Sequence, residues 1–199
     1  CNPEFDERYR DYWQTYHRLT ERKGVTESYA RLEVRRRNTL IGSLMVLKGE
    51  ADGLICGTIG QTGAHLHYID QVIGHEEGAK TYGAMNALVL PGRQVFLVDT
   101  HINVDPTAEQ LAEITILAAK ELRAMGIEPK VALLSHSNFG SSNAPSAQKM
   151  RDTLRILKEI APDMKVDGEM HGDCALDEAI RSEEHTSELQ SHSFISYAV

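Results

Sequence analysis

The residues of this chain best suited to chemistry fall in two short stretches, LSHSNFGSS at residues 134–142 and DGEMHGD at residues 167–173. In the first, Ser135, Ser137, Asn138, Gly140, Ser141 and Ser142 supply hydroxyls, an amide and a residue without Cβ. They follow an apolar run and precede a helix start at Ala144-Pro145-Ser146. A loop so placed can turn backbone N–H groups toward an anion such as phosphate, and the helix start adds a positive dipole end. The same residue types are common turn formers, so an ordinary connecting loop also satisfies the pattern. In the second stretch Glu169, His171 and Asp173 alternate. Two carboxylates beside an imidazole suit proton transfer or metal binding, while Asp167 and Asp173 equally suit the capping of turns or a helix start.

Other combinations are weaker. His65 and His67 resemble a metal pair, but residues two apart on a helix face different ways, so both read as surface histidines. No nucleophile elbow, phosphate-binding P-loop or dinucleotide fingerprint is present. No catalytic residue and no metal ligand is therefore assigned.

The elements that must position these loops alternate between helical and strand patterns. Aromatics at Phe5, Tyr9, Tyr12, Trp13 and Tyr16 predict a helix over residues 5–23, ended by Gly24. Thr26 is expected to cap a second helix, and residues 39–48 predict a third. GLICG at residues 53–57 reads as a short strand, followed by a helix ending near Ile73. Residues 83–90 and 94–99 read as strands joined at Pro91-Gly92-Arg93. Asp105-Pro106 is expected to open a helix running to Met125, with Gly126 ending it. Strands at residues 130–135 and 164–167 flank a helix over residues 146–161. This alternation predicts an α/β fold, a mostly parallel sheet with helices on both faces. Loops at residues 56–63, 135–142 and 167–173 would share one sheet edge.

Composition narrows the function classes. The 199 residues carry a formal charge of −8, with acidic side chains dispersed along the chain, which disfavours a nucleic-acid surface. No apolar run reaches membrane-spanning length. Cys1, Cys56 and Cys174 form neither a disulfide framework nor a zinc pattern, and a cytoplasmic location is the expectation. The chain starts at Cys1 rather than Met, so residues are expected to precede it. Residues 181–199, RSEEHTSELQSHSFISYAV, lack apolar periodicity and resemble a translated sequencing adapter. They are left out of the fold, with His185 and His192, and the native domain is taken as residues 1–180, incomplete at Ile180.

NVDPTAEQLAEI (residues 103–114), GIEPKVALLS (residues 126–135) and DGEMHGD resemble the phosphate acetyl/butyryltransferase family. The resemblance implies a phosphotransacetylase-like fold of two subdomains and a cleft for coenzyme A and phosphate. Active members would carry a His-Thr-Thr stretch and an Arg suited to acyl phosphate. Here Gly60, Gln61 and Thr62 stand at the first places and His67 at the last. Arg is a permanent cationic fork, whereas His is mostly neutral at pH 7. The spellings SHSNFGSS and NPEFDERYRDYW are similar to a narrower group, the C-terminal domain of bacterial hybrid NADP-dependent malic enzymes. That likeness implies a regulatory domain of a homo-oligomer answering to acetyl-CoA. Ser135, Ser137, Asn138, Gly140 and Ser141 would contact the acyl-CoA or phosphate, with His171 and Asp173 at the cleft wall. NADP and a divalent metal (Mg or Mn) would belong to a domain upstream of this chain. An active acetyltransferase and a purely structural oligomerisation domain are the alternatives.

Overall fold

The computed structural model describes residues 5–184 and 194–197. The chain forms two compact units, Cys1–Gly78 and Ala79–Val199.

The described part of the first unit is helical: α1 (Tyr9–Thr20), a 3-10 turn (Glu21–Lys23), α2 (Glu27–Arg36), α3 (Asn38–Leu47) and α4 (Thr62–Val72). The aromatic spacing on α1 buries Tyr12, Trp13 and Tyr16 with Ala30, Leu40 and Leu44 in one core. Thr26 caps α2 by accepting from the Tyr29 N–H at 3.3 Å. GLICG is not a strand. Residues 53–57 are irregular, and Ile55 is fully exposed. This unit offers no ladder among its described residues, and a strand without a partner leaves its backbone groups unmade.

The second unit is built on a sheet ordered β1 (Met85–Leu90), β2 (Arg93–Val98), β5 (Phe194–Tyr197), β3 (Lys130–Leu134) and β4 (Val166–Met170). β1 and β2 form an antiparallel hairpin, and the other pairings are parallel. Alternation along β3 gives the sheet two covered faces. Val131 and Leu133 join the core with α5 (Ala108–Ala124) and α6 (Pro145–Ile160). Ala132 joins a smaller cluster with Cys174 and Ala175 of α7 (Gly172–Leu176). The chain is thus α/β, with a mostly parallel sheet and helices on both faces.

Three boundaries differ from the sequence reading. Thr107, not Asp105, caps α5, because its hydroxyl and the Gln110 side chain bond reciprocally to each other's backbone N–H. β4 extends through Met170, so Gly168 and Glu169 are in a strand rather than a loop. The segment excluded as a tail also contributes structure. Arg181 lies in α8 (Glu178–Glu184) and is buried, and β5 sits between β2 and β3. A helix once nucleated extends at little cost. The open ladders of β2 and β3 accept a β-prone Phe-Ile-Ser-Tyr segment. Residues 185–193, with His185 and His192, lie outside the described residues.

Candidate functional site

The carboxyl ends of β3 and β4 meet beside the loop of residues 135–142. The Ser135 N–H donates to the Met170 carbonyl at 2.9 Å, and the Phe139 N–H to the Glu169 carbonyl at 2.8 Å. The loop then folds around one carboxylate oxygen. Glu169 Oε1 accepts from Ser137 Oγ at 2.9 Å, the Gly140 N–H at 2.9 Å and Arg151 Nη1 at 2.7 Å. Arg151, reaching in from α6, also donates to the Ser142 carbonyl at 3.0 Å. Because Ser137 spends its proton on Glu169, its oxygen accepts from the Ser142 N–H at 3.0 Å. Phe139 (φ 43°) and Gly140 (φ 90°) take the positive φ that this tight path requires.

Glu169 is fully buried. Burial pushes its carboxyl upward, but the Gly140 and Glu169 N–H groups, the Ser137 hydroxyl and the Arg151 charge outweigh that, and the net shift is downward. Its second oxygen, Oε2, and the Ser135 hydroxyl are buried without a hydrogen-bond partner.

The candidates of the two stretches are brought together, with changed duties. Ser137 and Gly140, read as anion donors, direct their protons to the chain's own carboxylate. Asn138 Oδ1 accepts from the His171 N–H at 2.7 Å, joining the two stretches directly. Ser141 Oγ accepts from the Asn138 N–H at 3.1 Å. Gly140, Ser141 and Asp173 are exposed, and Asn138 and His171 are half-buried. Asp173 accepts from the Cys174 N–H at 2.7 Å and Asp167 from the Gly168 N–H at 2.9 Å, but neither is a cap: Asp173 lies inside α7, whose N-cap is His171, and Asp167 lies within β4. Arg151 escaped the sequence reading. Its one signal is a carboxylate inside a short apolar strand, which demands a cationic partner somewhere.

The third loop, residues 56–63, belongs to the first unit. It lies over a cavity of about 230 Å³ lined in part by Thr39, Cys56, Thr58 and His65. His65 Nε2 meets the Ile59 carbonyl at 3.0 Å, which fixes that nitrogen as a donor, and Nδ1 meets Thr39 Oγ1 at 2.7 Å. Both ring nitrogens are thus engaged by oxygens of the chain itself. His67 packs edge-on against Tyr68. Among the described residues no group of three His, Cys, Asp or Glu side chains converges as a metal site would require. No helix among them is long and apolar enough to cross a membrane.

At the C-terminal end of β2, Asp99 is the other buried acid among the described residues of this unit. It accepts from the Ala84 N–H at 2.8 Å and the Asn103 N–H at 2.7 Å. Burial raises its pKa and those bonds lower it, for a net downward shift.

Residues 1–193 match the family described as phosphate acetyl/butaryl transferase. Over 182 residues, 92% of this chain, the sequence is 53% identical to an NADP-dependent malic enzyme of Salmonella typhimurium. Over 176 residues, 88% of the chain, it is 34% identical to a phosphate acetyltransferase of Nitratidesulfovibrio vulgaris. The chain spans about a quarter (24%) of the length of each. Its fold is that of the EutD phosphotransacetylase from Staphylococcus aureus, with a TM-score of 0.83 at 24% identity, over 98% of this chain and 61% of that one.

Proposed function

The chain belongs to the phosphate acetyl/butaryl transferase family, and from that premise we propose that it is part of the acyl-CoA-responsive regulatory domain of a longer NADP-dependent malic enzyme. The observation that carries this reading is the gap in identity. It is 53% to the malic enzyme against 34% to the acetyltransferase over nearly the same stretch. His67 and Gly60, in place of the expected Arg and His, support it by removing a fixed cation that acyl phosphate would need.

The parent reaction would be the oxidative decarboxylation of malate to pyruvate. NADP and the Mg or Mn ion would bind to another part of that cytoplasmic homo-oligomer. Acetyl-CoA would bind two states of the oligomer with different affinity and shift their balance toward the slower one. Exposed Ser141 and half-buried Asn138 would contact the acyl-CoA, with His171 and Asp173 beside them. Ser135, Ser137 and Gly140 would act mainly by holding the loop in shape. Glu169 at its centre favours donor groups of the ligand over its phosphates, which belong at the rim. Residues 181–199 are proposed to be foreign to that enzyme.

The test is malate oxidation by the full-length protein across an acetyl-CoA titration. Asn138→Ala and Gly140→Val should each shift the inhibition curve to higher acetyl-CoA, relative to each variant's own uninhibited rate. An unmoved curve in both variants refutes the site. Acetyl phosphate turnover dependent on coenzyme A, measured on the same protein, would instead identify a working acetyltransferase.

A further inference from the structure

Helices α1 and α2 enclose an open groove of about 780 Å³ that carries Arg10, Arg31 and Arg35. In a chain of formal charge −8 this is a local excess of positive charge. Neighbouring arginines are neutralised: Arg8 by Asp6 and Glu50 at 2.8 and 3.0 Å, Arg37 by Glu33 at 3.3 Å. Inside the groove Glu27 offsets Arg31 alone, at 3.2 Å. Arg10 and Arg35 have no carboxylate partner among the described residues.

The aromatic floor fixes how Arg31 and Arg35 are presented. The Arg31 guanidinium lies over the Trp13 ring, 4.1 Å from its centroid, and that of Arg35 lies 5.4 Å from the Tyr9 centroid. The Tyr9 hydroxyl donates to the Arg31 carbonyl at 2.8 Å, tying the floor to both helices. A guanidinium stacked on a ring keeps its N–H edge open to in-plane acceptors, and part of its rotamer freedom is spent before any ligand arrives.

We infer that the α1–α2 groove is a binding site for a small-molecule oligophosphate. Two guanidiniums without a carboxylate partner among the described residues, and a third shared with Glu27, match a di- or triphosphate, where a single carboxylate would leave charge unmet. Gln14 and Ser28 line the same groove and can add neutral hydrogen bonds. A nucleotide and an inorganic oligophosphate share this chemistry. The inference is independent of the acyl-CoA reading, since it concerns other residues of another unit.

Trp13 is the chain's only tryptophan, so its emission reports directly on the groove. The intact chain is titrated with inorganic tripolyphosphate, pyrophosphate and ADP at constant ionic strength. The expected result is a saturable emission change that weakens about tenfold or more in Arg10→Ala/Arg35→Ala. It should be partly retained in Arg10→Lys/Arg35→Lys, with far-UV circular dichroism unchanged in both. ADP binding tighter than pyrophosphate assigns a contribution to the base, and equal binding assigns the site to phosphates alone. The inference falls if chloride produces the same change, or if the alanine double variant responds undiminished. A saturable response to a glutamate-rich peptide, with none to tripolyphosphate, also overturns it and makes the groove a protein-docking site.

Discussion

Glu33 and Glu169 are both buried carboxylates, 4% and 0% exposed, but different chemistry holds them. Glu33, on α2, receives the Tyr68 hydroxyl from α4 and Arg37 Nε from one turn further along. Its partners are side chains on elements that local sequence already makes helical. Glu169 receives a backbone N–H, a hydroxyl and a guanidinium that converge from a loop and from α6. A phenol can follow a carboxylate that moves slightly, whereas a backbone N–H cannot do so without changing φ and ψ. Glu33 therefore ties together elements that exist without it. Glu169 defines a loop that has no ladder of its own.

The hardest test of that contrast removes the definer. Glu169→Ala leaves the half-buried Arg151 without its carboxylate, orphans the Gly140 N–H and removes the acceptor of the Ser137 proton. A cost of about 3–5 kcal/mol is expected, read as a lower urea midpoint together with new protease cleavage within residues 135–142. Cleavage that stays as slow as in the parent chain would mean the loop is held by something else. Gly168→Ala attacks the same site from beneath. At φ +136° a Cβ would lie 2.7 Å from the Leu133 carbonyl oxygen, inside the β3–β4 ladder. The expected cost is about 1–3 kcal/mol, measured by the same unfolding curve.

These features were unequally legible in the sequence. The helices announced themselves through local signals: the three- and four-residue spacing of Tyr12, Trp13 and Tyr16, the Thr26 cap, Pro145 at the first turn and Gly126 at the end of α5. The parallel order followed from alternation of strands and helices. The GLICG stretch misled because an apolar run between glycines carries the composition of a strand and no information about whether a partner exists. The duty of Ser137 and Gly140 was hidden for a related reason. Both are donors in any setting, and what they donate to is set by Glu169, 32 and 29 residues away. Arg151, 18 residues from Glu169, is equally invisible to a local pattern.

The two units should also part under pH. In the second unit Glu169 and Asp99 both end below the usual carboxylate range, because their hydrogen-bond donors outweigh burial. The unfolded chain then holds these protons more tightly than the folded one. Their stabilisation is present above the ordinary carboxylate value, about 4, and is lost as pH falls through the lower folded values. In the first unit burial pushes the hydroxyls of Tyr12 and Tyr16 up to about 12. Burial and the bond to Glu33 raise Tyr68 as well. Here the folded state holds the protons, so stability is intact below about 10 and drains away toward 12. Pulsed hydrogen exchange read by peptide should show acid opening residues 135–142 and 166–170 first, and alkali opening α1 and α4 first. Simultaneous opening at both extremes would break the contrast.

The smallest expected effect lies at Glu33 itself. Glu33→Gln keeps an acceptor for the Tyr68 hydroxyl and gives up only the charge facing Arg37, a side chain that is itself exposed to water. Water screens that pair, so a loss of about 1 kcal/mol is expected. Tyr68→Phe alone leaves a buried carboxylate short of a donor, which should cost more than Glu33→Gln. Combined with Glu33→Leu it removes both ends of the bond, and an apolar pair in that place approaches neutrality. The double-mutant cycle thus predicts a coupling that rescues the single losses, measured from urea midpoints with Trp13 emission as the probe. No such rescue is open to Glu169, because one of its partners is the backbone of Gly140 and cannot be mutated away. A Glu33→Gln loss as large as that of Glu169→Ala would mean that the helical unit, too, is defined by its buried carboxylate rather than merely fastened by it.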